Sequence, residues 1–187
     1  MGARLAHANL STVTVESRWG RWAPGSWVRE VARRDLMGRL LLSIAIISVA
    51  VAPLTADLND THIYNEDWPP HARFHTAVLL FVSAGLSLLG LWLLWRKTSE
   101  LRTHMFVSML IPVLSWGSFF LALLLPKTAA EDVPGELPRV AGMPVNLFVA
   151  AMFILLSVAG WWLSVSSQGA LSPARRRRSL TRSQGRT

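Results

Sequence analysis

The stretch DWPPHARFHTAVLLFVSAGLSLLGLWLLW, residues 67–95, decides how this chain is read. Its last twenty residues, Thr76 to Trp95, carry no charge, and about 20 apolar residues are what a helix needs to cross the hydrocarbon core of a bilayer. Its front reads as a helix start. Pro69 and Pro70 suit the first helical position, where the missing N–H has no partner to lose, and Asp67 ahead of them suits the positive end of the helix dipole. The spacing predicts one helix from about Pro70 to Trp95 that stands roughly a turn out of the bilayer at its front.

Three further stretches have the same character. Leu40 to Ala56 gives 17 residues without a charge, Met105 to Leu125 gives 21, and Val145 to Ser166 gives 22. The first is short for a span and gains length if Arg39 snorkels, with its stem in hydrocarbon and its head at the interface. The expected layout is an all-α, four-helix transmembrane bundle with spans near 40–56, 70–95, 104–125 and 145–166. A basic tail, 1–39, precedes it, and a basic, disordered tail, 167–187, follows. Within the first tail, Ser26 can cap a helix from Trp27 to Met37 with Trp27, Val31 and Met37 on one side and arginines on the other. Such a helix would lie in the membrane interface against anionic lipid, as would the run Arg175 to Arg178.

Composition agrees with this reading. The chain is 51% hydrophobic with a mean hydropathy of +0.35, too apolar for an ordinary soluble domain of 187 residues. A net charge of +8 gathered at the two ends and one short loop does not form a nucleic-acid surface. The absence of cysteine excludes disulfides, thiolate metal sites and cysteine nucleophiles. No serine lies in a nucleophile-elbow turn. No span holds an Asp, Glu, Lys, Arg or His in its interior, which argues against a proton relay or coupled transporter.

Sixteen of the nineteen Lys and Arg residues fall on one side of the predicted spans, and only Arg73, Lys127 and Arg139 on the other. By the positive-inside rule both termini are then cytoplasmic, and the expected place is the plasma membrane. Trp92, Trp95, Trp161 and Trp162 at one level and Trp68 at the other sit where interfacial aromatic belts belong.

The polar segment Asp57 to His75 holds three of the five histidines, four carboxylates, two asparagines and Arg73. One reading places a metal there. His71 and His75 are i and i+4 on one helix face, about 6 Å apart at Cβ, and His62, Asp57 and Asp60 come from the preceding turn. That set suits zinc, or iron in a two-histidine, one-carboxylate arrangement, although the pair lacks the glutamate of the zinc-protease motif. A second reading gives Arg73 and the free N–H groups of the helix start an anion such as a lipid phosphate, with Asn59, Asn65 and Trp68 around it. A third is structural: Trp68 anchors, Arg73 pairs with Asp57 or Asp67, and the histidines tie the loop down. The corresponding functions are a headgroup- or ligand-binding membrane protein, a metal-dependent enzyme acting on a lipid-like substrate, and an accessory subunit or homo-oligomer in a larger membrane complex.

The run Asn59-Asp60-Thr61-His62-Ile63-Tyr64-Asn65, followed by Trp68-Pro69-Pro70-His71-Ala72-Arg73-Phe74-His75, resembles the signature of a family of small uncharacterised four-span membrane proteins. That signature has the form N-x-T-H-x-x-N-P-x-W-P-P-H-A-[RK]-F-H. Glu66 stands here where the pattern has proline. The resemblance implies the four-span layout and marks this loop, and it implies no activity.

Overall fold

The computed structural model describes residues 26–131 and 133–171. In order they form α1 (Ser26–Asp57), α2 (Pro70–Trp95), α3 (Leu101–Ala122), a hairpin of β1 (Arg139–Val140) and β2 (Met143–Pro144), and α4 (Val145–Leu171). All four helices are long and apolar enough to cross a membrane. The chain is a multi-pass membrane protein built as a helical bundle. Trp19, Trp22 and the run Arg175 to Arg178 lie outside the described residues, as do the rest of the basic tails 1–25 and 172–187.

The helix expected over Trp27–Met37 is present, but as the first turns of α1 and not as a separate element in the membrane plane. Nothing between Met37 and Leu40 breaks a helix except the weak helix former Gly38, and Gly38 is held against α4. α1 has 32 residues, so it is about 48 Å long against a hydrocarbon core of about 30 Å. Val28, Val31, Asp35 and Gly38 lie along its more sheltered side, while Trp27 and Met37 are exposed. Val31 therefore parts from the two residues with which periodicity had grouped it. At the other terminus α4 continues past Ser166, because Ser167 is buried against the Leu163 carbonyl and the Gln168 amide donates to Met105 Sδ at 2.9 Å.

Around the bundle the order is α1, α2, α3, α4, with each helix packed on the next and α4 closing back on α1. α1 also reaches α3 across the middle, whereas α2 and α4 stay apart. Neighbours run antiparallel. Arg39 meets Leu94 and Ile46 meets Ser87, Gly90 meets Ser108, and Met105 meets Gln168 while Trp116 stacks on Phe153. The core is two layers, one around Leu42, Ile46, Leu94, Met105 and Met109 and one around Val49, Trp116 and Ala150. Phe81, Leu88, Leu114 and Leu155 point outward and are at least two-thirds exposed, as lipid-facing positions must be.

Because lipid tails are as apolar as leucine, close packing and hydrogen bonds hold such helices together more than hydrophobic burial does. A Cβ on Gly38 would meet Ser164 Oγ and, at 2.6 Å, the Gly160 carbonyl; one on Gly160 would meet the Gly38 carbonyl at 2.8 Å. The two glycines let the α1 and α4 backbones touch. Serines supply the bonds: Ser87 Oγ donates to the Ile46 carbonyl at 2.8 Å, Ser108 Oγ to the Gly90 carbonyl at 3.1 Å, and Ser164 Oγ to the Asp35 carbonyl at 3.2 Å. Trp116 Nε1 reaches Ser48 Oγ at 3.0 Å. Ser108 thus bonds across to α2 instead of serving its own helix beside Pro112.

Arg39 bonds to protein on two sides. Its Nη1 donates to the Leu94 carbonyl at 2.7 Å and its Nε to Asp35 at 2.9 Å. The last carbonyls of α2 have no partner within their own helix, and Arg39 supplies one from the neighbouring helix.

Candidate functional site

The segment between α1 and α2 lies at one end of the bundle, together with the α3–α4 connection; this end is called the rim. Asn59 organises its first half. The Asn59 amide donates to the Ala56 carbonyl at 2.8 Å, closing the end of α1, and its Oδ1 accepts from the Thr61 N–H at 2.8 Å and the Thr61 hydroxyl at 2.6 Å. Asn65 repeats the device: its Oδ1 accepts from the Asp67 N–H at 2.9 Å and its amide donates to the Thr61 carbonyl at 3.3 Å. Asparagine side chains that bond to backbone two residues on are the usual makers of such turns. Both amides are thereby engaged in shaping the loop.

His62 belongs to this loop. With the Thr61 hydroxyl proton given to Asn59, His62 Nδ1 is the donor to Thr61 Oγ1 at 2.8 Å. Its Nε2 then faces Asp57 at 3.8 Å, and its ring lies edge-on to Trp68 with centroids 4.9 Å apart. Asp60 is exposed and makes no ion pair among the described residues.

The other three rim residues sit on α2. Pro69 precedes the helix with an extended ψ of 139° and no side-chain cap. Pro70 has no N–H, and the N–H groups of Ala72 and Arg73 both turn back to the Pro69 carbonyl, at 2.9 and 3.2 Å. The helix start therefore offers an anion little more than the His71 N–H. His71 and His75 are exposed and their Nε2 atoms are 3.0 Å apart. Two residues along a helix is a turn of about 200°, which puts Arg73 on the other side of α2 from both histidines.

The five residues of the metal reading therefore divide. Asp57 and His62 form one pair, His71 and His75 another, and Asp60 joins neither. Among the described residues no group of three or more His, Asp or Glu side chains comes together to hold a metal. Arg73 pairs with neither Asp57 nor Asp67: among the described residues no carboxylate lies within 4.0 Å of it. It is half-buried, and its Nε is buried without a hydrogen-bond partner among the described residues.

The α3–α4 connection forms the rest of the rim. Val140 pairs with Met143 across a two-residue turn in which Ala141 and Gly142 both take positive φ, 51° and 81°, the backbone of a type I′ hairpin. Glu131 is clasped by the same segment. The Gly135 N–H above all holds its carboxyl below the usual carboxylate range, with the Leu137 N–H and the Arg139 guanidinium adding to it against a counteracting desolvation. A cleft of about 290 Å³ opens between the end of α3 and the start of α4, lined by Ser118, Ala122, Thr128 and Asn146 among others. Its polar side chains bond to nearby carbonyls: Ser118 to Ser115, Thr128 to Leu125 and Asn146 to Ala130.

At the opposite end, Asp35 Oδ1, His104 Nδ1 and Trp161 Nε1 are buried with no hydrogen-bond partner among the described residues. His104 as a whole is only half-buried, and the packing of its neighbours covers Nδ1.

No curated protein and no solved structure matches the chain. A family model does match, over residues 41–162, a stretch that takes in the whole rim segment; the chain belongs to that family, a family of unknown function (DUF6640).

Proposed function

We propose that this is a plasma-membrane protein with both termini in the cytoplasm, whose rim faces outward and binds the anionic headgroup of a lipid through Arg73. One observation carries the reading: a half-buried Arg73 guanidinium that has no carboxylate within 4.0 Å among the described residues. A partly desolvated guanidinium without a counter-charge costs free energy, and an acceptor at its Nη groups offsets that cost. A phosphate oxygen is the acceptor that arginine matches best, and headgroups lie at that depth. Tyr64 is exposed on the same loop and Trp68 packs beside His62, aromatic residues of the kind that settle at headgroup level. The exposed Arg29, Arg33 and Arg34 on α1 supply the cytoplasmic counterpart, attraction to anionic lipid. A metal-dependent enzyme would need the Asp57–His62 and His71–His75 pairs in one place, and they are apart.

The test is lipid retention. The full chain is released from nanodiscs of mixed phosphatidylglycerol and phosphatidylcholine, and bound lipid is counted by native mass spectrometry. Arg73→Gln should lose a tightly held phosphatidylglycerol that Arg73→Lys partly keeps. Equal retention by wild type and Arg73→Gln would end the proposal.

A further inference from the structure

We infer that His71 and His75 form an open two-nitrogen site for a late first-row divalent ion of the zinc, nickel and copper group. The inference does not rest on the headgroup reading, because Arg73 occupies the other side of α2.

Zinc and its neighbours hold imidazole nitrogen at about 2.0–2.1 Å, so two nitrogens on one ion lie about 2.9 Å apart at a right angle and about 3.35 Å at the tetrahedral angle. The two Nε2 atoms are 3.0 Å apart, inside that range, with the ring planes at 86° and the ring centroids 4.4 Å apart. Their separation is fixed by one turn of helix and not by a loop, so little ordering is left for the ion to impose.

Among the described residues each ring makes a hydrogen bond only to the other. Without an ion, one ring donates an Nε2 proton to the lone pair of its partner. With an ion, both Nε2 lone pairs must face the metal and both protons sit on Nδ1, which in each ring makes no hydrogen bond among the described residues. The donor ring then needs only a proton shift from Nε2 to Nδ1, and a neutral pair releases no net proton.

Both rings are exposed, Phe74 lies beside them at 6.3 and 5.7 Å between centroids, and among the described residues no third ligating side chain approaches. Closed structural sites have four protein ligands and catalytic zinc sites have three. A site with two leaves at least two positions to water or an exchangeable oxygen ligand. Two imidazoles without carboxylate or carbonyl donors favour copper, nickel and zinc over magnesium and calcium.

The experiment uses the full chain, purified in detergent without a histidine tag, washed with chelator and titrated with Zn²⁺ alone by calorimetry. The inference expects one ion bound per chain through this pair. Each of His71→Ala and His75→Ala should weaken binding at least about tenfold, since loss of even an outer-shell partner costs 10–100-fold. The double variant should lose the site, while His62→Ala and Arg73→Gln should bind as wild type. Thermal unfolding of the metal-free double variant, unchanged from wild type, shows that the loss is not misfolding. With Cu²⁺, electron paramagnetic resonance of wild type minus the double variant should show two coupled nitrogens. No saturable binding, or binding that survives in the double variant, overturns the inference. So does a four-nitrogen signal accompanied by dimerisation, which would make it a site closed between two copies.

Discussion

Replacing Gly160 by alanine tests the contact between α1 and α4 on which the bundle closes. The added Cβ would lie 2.8 Å from the Gly38 carbonyl and 3.0 Å from the Leu42 N, where ordinary contact begins at 3.4 Å. Both obstacles are backbone, so no rotamer change relieves them and the helices must part by about 0.4–0.6 Å at this level. One turn along α4, Ser164 Oγ already bonds to the Asp35 carbonyl at 3.2 Å. Parting by that amount takes it past the range of a hydrogen bond. Overpacking costs about 1–3 kcal/mol, an interhelical bond in a membrane is worth about 0.6 kcal/mol, and the alanine itself gains about 0.5–1 kcal/mol in helix propensity, so a net loss of about 1–3 kcal/mol is expected. Gly85 is the control, because nothing lies within 4 Å of a Cβ built there. Gly85→Ala should gain about 0.5–1 kcal/mol from helix propensity alone. Reversible unfolding of both variants in mixed micelles gives the comparison. If Gly160→Ala proves as stable as Gly85→Ala, the close approach of α1 and α4 is wrong.

Other consequences follow from single contacts. Arg39→Met should cost about 1.5–3 kcal/mol in the same unfolding assay, because it removes two charge-assisted bonds and leaves Asp35 without its partner. Ala141 holds an αL conformation that alanine adopts at a cost of about 1–2 kcal/mol, so Ala141→Gly or Ala141→Asn should slow amide exchange in the hairpin. Glu131 has a lowered folded pKa, so its stabilising effect is complete above the ordinary carboxylate value and is lost as pH falls through the folded one. The protection of the Gly135 and Leu137 amides, taken against their intrinsic exchange at each pH, should therefore fall on acidification below about pH 4, and Glu131→Gln should abolish that fall.

Much of this fold was legible because membrane crossing is a constraint on length and polarity. The prolines at 69 and 70 and the end of the apolar run at Trp95 gave α2 its limits. α1 was harder, since Arg39 looks like the end of a span in the sequence, and only the neighbouring α2 terminus shows that the charge has a partner inside the bundle. At the rim, the i, i+4 rule brought His71 and His75 together correctly. The same periodicity, carried two residues instead of four, separates Arg73 from them, a separation that grouping the residues by their place in sequence conceals. His62 was not legible, because its direction is set by the turn that Asn59 builds. Nor was the hairpin, since an Ala-Gly pair is a poor signal for a turn that needs positive φ at both residues.

The account stands on the rim facing away from the cytoplasm, and the chain's lack of cysteine makes that directly measurable. Single cysteines are placed at the exposed Glu66, in the rim loop, and at the exposed Ser99, between α2 and α3, and intact cells are treated with a membrane-impermeant maleimide. The account predicts that Glu66→Cys is labelled and that Ser99→Cys is labelled only after the cells are opened; the reverse pattern would contradict it.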